Sequence, residues 1–250
     1  MHELLNHRLI RERYFFPRLG DLVEPFWVDC GDAQLACHYH EIDPAARTLI
    51  HFHGNGEIVD DYLGEFVARI AGLGCNCLLA EFRGYGGSSG RAELGRMLAD
   101  VVPIVTSLAR PAQQLIFFGR SVGSIFAIEA ATRFPDAAGL VLESGIADVR
   151  ERLLLRVSPV ELGVSAATFD AVVAAALDHR QKLAAYPGPV LVMHTRYDGL
   201  VDVSHGERLY QWAAGEKQLK IFPHGHHNDI MFVNAGEYFA QLEGFIAGLD

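Results

Sequence analysis

Short apolar stretches, each followed by a stretch with helical periodicity, recur along the sequence from residue 48 onward. Strands that are apolar throughout and are followed by helices are typical of a mostly parallel sheet covered on both faces. The predicted strands of this kind span residues 48–53, 75–82, 139–143, 189–194 and 219–222, together with an apolar stretch that begins at residue 114. Two earlier stretches, residues 26–30 and 34–40, predict antiparallel strands joined by a turn. We therefore predict an α/β fold, with a mostly parallel central sheet of about eight strands and helices on both faces.

The length and composition favour one domain. The chain has 250 residues, of which 50% are hydrophobic, so it can bury one large core. No repeat, linker or low-complexity tract divides it, and a single domain over residues 1–250 is predicted. Between residues 147 and 186 the strand–helix alternation lapses, and several short helices are expected there, either as a small lid or as an ordinary connection. Residues 1–23 have mixed character and predict an extended arm laid on the surface.

The charge pattern and the N-terminal sequence indicate which binding partners and which cellular location to expect. The formal net charge is −10, without the clusters of Lys and Arg that nucleic acid or an anionic membrane requires. The N-terminal stretch lacks the apolar core of a signal peptide. No apolar run reaches the roughly 20 residues of a membrane-spanning helix. We predict a cytoplasmic protein that binds neither nucleic acid nor the membrane interior.

The four cysteines show no C-x-x-C pair, which fits a reducing compartment. Cys75 and Cys77 are two residues apart on a predicted strand. Side chains at that spacing point to the same face of a sheet, so both should pack in the core.

Ser121 lies at a predicted strand-to-helix turn, within residues 119–123, G-R-S-V-G, which is a G-x-S-x-G pattern. Such a turn holds a serine hydroxyl clear of the backbone at the end of a sheet. Ligands of α/β sheets bind outside the carboxyl ends of the strands. Asp198 and His227 follow the strands at 189–194 and 219–222, so a serine, an acid and a histidine should meet at one edge.

Four further segments share a resemblance to a known family. They are the H-G turn at residues 53–54, the R-G-Y-G-x-S-x-G loop at 83–90, the H-T-R-x-D segment at 194–198 and the G-x-H-N-D segment at 225–229. With these segments in this order, the chain resembles the α/β-hydrolase superfamily from about residue 26 onward. Within it, the chain is most similar to small serine hydrolases with a bare core domain, the group that includes acyl-protein thioesterase and peptidase-like relatives.

The resemblance implies a Ser-Asp-His triad. Ser121 would be the nucleophile, His227 the base that takes its proton, and Asp198 the acid that orients the imidazole and stabilises its charged form. The backbone N–H groups of Val122 and Asn55 would form the oxyanion hole. Neither a cofactor nor a metal is expected.

Three histidines compete for the role of base. His227 aligns with the family pattern, His226 is its neighbour, and His224 lies nearer the strand. The same cluster could suggest a metal site, but it lacks the nearby carboxylate or thiolate ligands of a usual zinc site, and none is predicted.

Other acids near the predicted edge have competing interpretations. Asp202 more simply caps the following helix, and Glu143 occupies an acid position that some relatives use. Asp229 is predicted to cap a helix or a turn. Arg120, beside the nucleophile, is interpreted as solvated or as part of a buried ion pair rather than as a substrate ligand.

These observations predict a serine hydrolase that cleaves a small-molecule carboxylic ester or thioester through an acyl-enzyme. One alternative is a peptidase or amidase of the same fold. Another is a non-catalytic binding module, although such proteins usually lack a member of the triad. Neither the acyl-chain preference nor the oligomeric state is predicted.

Overall fold

A computed structural model describes residues 3–249 and contains an eight-stranded sheet in the order β1-β2-β4-β3-β5-β6-β7-β8. The strands are β1 (Phe26–Asp29), β2 (Gln34–His40), β3 (Thr48–Phe52), β4 (Asn76–Ala80), β5 (Leu115–Arg120), β6 (Gly139–Glu143), β7 (Val190–Thr195) and β8 (Lys217–Phe222). β1 pairs antiparallel with β2, and β2 pairs antiparallel with β4. All later pairings are parallel, from β4 across to β8. The predicted fold is confirmed.

Helices cover both faces of this sheet. They are α1 (Arg8–Tyr14), α2 (Glu65–Gly72), α3 (Leu94–Thr106), α4 (Gly123–Arg133), α5 (Val149–Leu154), α6 (Ala166–Leu177), α7 (His179–Ala185), α8 (Val203–Trp212), α9 (Ile230–Val233) and α10 (Ala235–Ala247). None of these helices, within the described part of the chain, is long and apolar enough to cross a membrane.

Alternate residues of the central strands enter two separate cores, because successive side chains of a strand point to opposite faces. Phe117 packs in the core on one face, and Phe118 packs in the core on the other. Cys75 and Cys77 are both buried in the second core, as predicted. This continuous burial on both faces explains why the strand sequences are apolar throughout.

The N-terminal segment differs from the prediction. Instead of an extended arm, Leu4–Asn6 form a 3₁₀ turn and α1 follows, with the His7 side chain accepting the N–H of Leu9 at the start of that helix. Leu5 and Ile10 are fully buried in the first core. The prediction failed because these apolar residues are few and their partners lie far along the chain. Residues 1 and 2 of the predicted arm lie outside the described residues.

Two separate helical segments follow β3. Val59–Tyr62 form a 3₁₀ turn, and α2 begins only at Glu65. Gly64 separates them with a φ of 83°, a left-handed conformation that a helix interior does not contain.

Residues 147–186 contain the expected short helices. α5 and α6 pack against each other, α6 also contacts the turn Leu4–Asn6, and α7 packs between α4 and α8. Phe169 and Leu183 are fully buried by these contacts. The interpretation of part of this segment as a lid remains a prediction.

Candidate active site

The turn between β5 and α4 forces Ser121 into a left-handed backbone conformation, with a φ of 52°. A non-glycine residue with this φ is uncommon, and such strain is often found at functional sites. The two flanking glycines allow the turn to pack closely. A Cβ at Gly119 would lie 2.5 Å from Ser124 Cα, and a Cβ at Gly123 would collide with the carbonyl oxygen of Phe52.

The structure brings Ser121, His227 and Asp198 into one hydrogen-bonded chain. Ser121 Oγ lies 2.8 Å from His227 Nε2, and His227 Nδ1 lies 2.7 Å from Asp198 Oδ2. All three residues are buried, with exposures of 8%, 5% and 7% in the order serine, histidine, aspartate. A carboxylate that accepts the Nδ1 proton leaves the Nε2 lone pair directed at the serine hydroxyl.

Asp198 is held in place by the backbone of the loop that follows it. Its Oδ1 accepts the N–H groups of Leu200 at 2.9 Å and Val201 at 2.8 Å. Burial raises the pKa of Asp198, but hydrogen bonds from His194, from His227 and from the backbone of the loop lower it by a larger amount. The net pKa is therefore well below its ordinary value. The carboxylate is therefore ionised.

The other two histidines of the cluster point elsewhere. His226 is exposed, and its Nδ1 lies 3.0 Å from the carbonyl oxygen of Tyr197. The carbonyl oxygen of His224 accepts a hydrogen bond from Asn234. Asp229 closes the turn by accepting the N–H of His226 at 2.5 Å, which agrees with its predicted capping role. Among residues 3–249, no group of three potential ligands is arranged to hold a metal ion.

The competing acids also have other partners. Asp202 caps α8, as predicted, by accepting the N–H of Ser204 at 3.0 Å. Glu143 accepts the hydroxyl of Tyr238 at 2.5 Å and lies 3.2 Å from Arg120 Nε. Neither acid contacts His227.

Arg120 forms a buried ionic network behind the serine. Its guanidinium forms ion pairs with Glu57 and Glu143 and donates to the carbonyl oxygen of His227 at 2.9 Å. The side chain is only 8% exposed. The buried-pair interpretation is confirmed. This hydrogen bond connects Arg120, the residue beside the nucleophile, to the loop that carries His227. The sequence did not predict this contact.

The two predicted oxyanion donors lie beside the serine. Asn55 and Val122 line the same cavity as Ser121, and among residues 3–249 neither backbone N–H has a hydrogen-bond acceptor. The Asn55 side chain is fixed because its Oδ1 accepts the N–H of Phe16 at 2.9 Å and the hydroxyl of Tyr85 at 2.8 Å. The turn therefore presents free backbone donors from a rigid position.

His53 supports this turn through a buried ion pair that the sequence did not reveal. His53 Nε2 lies 2.7 Å from Glu81 Oε1, and Nδ1 lies 2.8 Å from the carbonyl oxygen of Gly54. Both partners are acceptors, so both ring nitrogens carry protons and the imidazole is charged. Burial lowers the pKa of His53, but the Glu81 carboxylate and the carbonyl of Gly54 outweigh it and raise the pKa above its ordinary value.

The His53–Glu81 pair predicts a pH-dependent stability. Because the pKa of His53 is raised on folding, the folded chain binds more protons than the unfolded chain between the two pKa values. The contribution of the pair is full below about pH 6.5 and is lost as the pH rises through the folded pKa. Urea unfolding should show wild type losing its advantage over Glu81→Gln as the pH is raised from 6.5. An advantage that stays constant or grows with pH would contradict the charged pair.

The cavity beside Ser121 has a volume of about 300 Å³. Besides Ser121, His227, Arg120, Asn55 and Val122, its lining includes Tyr14, Phe16, Ile146, Arg152, Arg156, Leu200, Val201 and Asn228. Sequence reasoning named no pocket residue, because these side chains come from α1, α5 and five separate loops.

Known proteins share much of this sequence pattern. The family model described as "Serine aminopeptidase, S33" matches residues 43–162. Alpha/beta hydrolase domain-containing protein 17B of Xenopus laevis is 27% identical over 226 residues, covering 86% of this chain and 71% of that protein. These matches indicate an α/β-hydrolase. Protein 17C of the same series, from Mus musculus, is 28% identical over 240 residues, covering 91% of this α/β-hydrolase and 68% of the relative.

Solved structures show the same fold for this α/β-hydrolase. An esterase of Pyrococcus furiosus superimposes with a TM-score of 0.72 at 16% identity, covering 94% of this chain and 98% of the esterase. This superposition confirms the predicted α/β-hydrolase fold, and together with the family match it supports an α/β-hydrolase enzyme.

Proposed function

We propose that this α/β-hydrolase cleaves a carboxylic ester or thioester through an acyl-enzyme formed on Ser121. The observation that carries the proposal is the continuous hydrogen-bonded chain from Ser121 Oγ through His227 to Asp198, with distances of 2.8 and 2.7 Å. A nucleophile, a base and an orienting acid within hydrogen-bond reach are the signature of acyl transfer on a serine.

The first step is acylation. His227 Nε2 takes the hydroxyl proton of Ser121 while Oγ bonds to the substrate carbonyl carbon, and the carbonyl oxygen becomes an oxyanion. The charged imidazolium is stabilised by the Asp198 carboxylate 2.7 Å from Nδ1. The imidazolium then gives its proton to the leaving alcohol or thiol as the tetrahedral intermediate collapses, leaving the acyl group on Oγ.

The second step is deacylation. A water molecule replaces the leaving group, gives its proton to His227 Nε2 and attacks the acyl carbon. Collapse of this second intermediate returns the proton to Ser121 Oγ and releases the carboxylic acid. In both steps the N–H groups of Asn55 and Val122 would bind the oxyanion, and removing one such donor typically slows the reaction by about 10²–10³-fold.

A peptidase remains the second candidate, because the matching family model is described as a serine aminopeptidase. An aminopeptidase must bind the free ammonium group of its substrate, and carboxylate side chains suit that role. The part of the cavity lining that the structure describes contains Arg152 and Arg156 but no aspartate or glutamate. This charge favours an ester or thioester over an aminopeptidase substrate.

Turnover measurements separate the two candidates. Wild type should hydrolyse short-chain p-nitrophenyl esters and the corresponding acyl thioesters, and it should act far more slowly on amino-acid p-nitroanilides. Ser121→Ala should lose ester turnover, while Ser107→Ala, at an exposed serine directly after α3, provides the control. Preference for the anilides would replace the esterase by the peptidase, and full ester turnover by Ser121→Ala would remove both.

A further inference from the structure

Two arginines beside the candidate nucleophile have no counter-charge. Arg152, on α5, and Arg156, just after that helix, both line the cavity that contains Ser121. Neither guanidinium forms an ion pair or donates a hydrogen bond to any residue from 3 to 249. The Nε of Arg152 is buried without an acceptor. Because buried donors are almost always paired, this one points to a missing acceptor.

The acids near these arginines are engaged by other cations. Glu151 lies 3.2 Å from Arg208, and Glu161 lies 2.8 Å from Arg13. Asp170, on α6, forms an ion pair at 2.6 Å with Arg150, which lies on α5. These acids pair with other cations, and within residues 3–249 no acid forms an ion pair with Arg152 or Arg156.

Two aromatic neighbours, Tyr14 and Phe16, do not neutralise the positive charge of these arginines. Burial raises the pKa of Tyr14 to about 12, although Arg152 and Arg156 lower it in part, so the phenol is neutral near pH 7. Arg156 lies over the ring of Phe16, with 6.0 Å from its guanidinium carbon to the ring centroid. That contact holds the cation at the cavity without neutralising it.

Arg120, the third arginine in the lining, contributes little net positive charge because it pairs with Glu57 and Glu143. The excess charge is therefore on the α5 side of the cavity. The chain as a whole has a formal net charge of −10, so this positive site is a local feature and not a consequence of composition.

We propose that the substrate carries an anionic group, a carboxylate or a phosphate, which Arg152 and Arg156 bind while Ser121 attacks the acyl carbonyl. The guanidinium fork matches the oxygens of either group. The cavity volume of about 300 Å³ is at the lower end for ligand pockets, which favours a short substrate. This inference rests on the proposed function and names the substrate class for the same site.

A pair of substrates of similar length tests the proposal. We expect wild type to hydrolyse the p-nitrophenyl hemiester of glutaric acid with a higher kcat/KM than neutral p-nitrophenyl valerate. Arg156→Gln, at an exposed position, should lower the ratio of kcat/KM for the hemiester to kcat/KM for valerate by about tenfold or more. Arg152→Gln should act in the same direction. Arg150→Gln, whose arginine is on the same helix but pairs with Asp170, is the matched control and should change neither rate.

The two sources of the anion are distinguished by a second substrate pair, an acylglycerol phosphate against the corresponding acylglycerol. A preference confined to the hemiester assigns a carboxylate, and one confined to the phosphate assigns a phosphate. Raising the salt concentration should reduce either preference, because the binding is ionic.

A binding measurement separates failure of this proposal from failure of the proposed function. Calorimetry of glutarate or inorganic phosphate with Ser121→Ala requires no turnover, and Arg156→Gln in that background should weaken the binding by about tenfold. If wild type hydrolyses neutral esters but neither the hemiester preference nor anion binding responds to the arginine variants, the anionic substrate is wrong and the esterase stands. If anions bind through the arginines and no ester is cleaved, the proposed reaction is wrong and the anion site stands.

Discussion

Replacing His227 by glutamine is expected to lower kcat for ester hydrolysis by about 10⁴-fold or more. The imidazole is the group that contacts both Ser121 Oγ and Asp198, at 2.8 and 2.7 Å. Glutamine can keep a hydrogen bond but cannot take the serine proton near pH 7. Since acylation and deacylation both pass a proton through Nε2, the loss should appear in kcat with little change in KM.

His226→Gln is the matched control, because the two histidines are neighbours in sequence and only one reaches the serine. His226 is exposed and lies against the carbonyl of Tyr197. Its replacement should leave kcat within about twofold of wild type. The assignment of the base is wrong if the two variants exchange these outcomes, or if both retain wild-type activity in steady-state assays.

Replacing Arg120 by methionine is expected to reduce the free energy of unfolding by about 3–5 kcal/mol. Methionine keeps most of the side-chain volume but leaves Glu57 and Glu143 without their shared cation. Burial already raises the pKa of Glu143 more than Arg120 and Tyr238 lower it. Without the guanidinium, the buried carboxylates must either take up protons or remain unpaired, and both are costly.

Urea unfolding measures this loss, and Arg150→Met serves as the matched control. Arg150 pairs with Asp170 at the surface, with 47% of its side chain exposed, so its loss should cost no more than about 1 kcal/mol. Folded Arg120→Met should also have a lower kcat, because the carbonyl of His227 loses its 2.9 Å donor. An effect on stability no larger than that of Arg150→Met would show that the network contributes little.

Local sequence patterns were sufficient to predict the sheet and the edge at which the candidate site lies. A strand buried on both faces must be apolar throughout, and its carboxyl end must meet the ends of its parallel neighbours. Ser121, Asp198 and His227 each follow such a strand, so their order along the chain and their common edge could be predicted. Asp202 could be assigned to a helix cap because the bond it makes lies within two residues of it.

The features that sequence reasoning missed depend on contacts between distant segments. Arg120 reaches Glu57, 63 positions earlier in the numbering, and the His227 loop, 107 positions later. Arg156 and Ser121 line the same cavity although 35 positions separate them in the sequence. The hydrophobic periodicity within one segment does not indicate such contacts. The helices of the N-terminal segment were not predicted for the same reason, because Leu5 and Ile10 are buried by other parts of the chain.

The most direct test of the central claim is to identify the residue that forms a covalent bond with an active-site probe. A fluorophosphonate should add one phosphonyl group to wild type, located by peptide mass spectrometry on the segment that contains Ser121. The adduct should be absent from Ser121→Ala and should form far more slowly on His227→Gln. Labelling of Ser121→Ala at the wild-type rate, or an adduct on another serine in wild type, would contradict a nucleophile at the turn between β5 and α4.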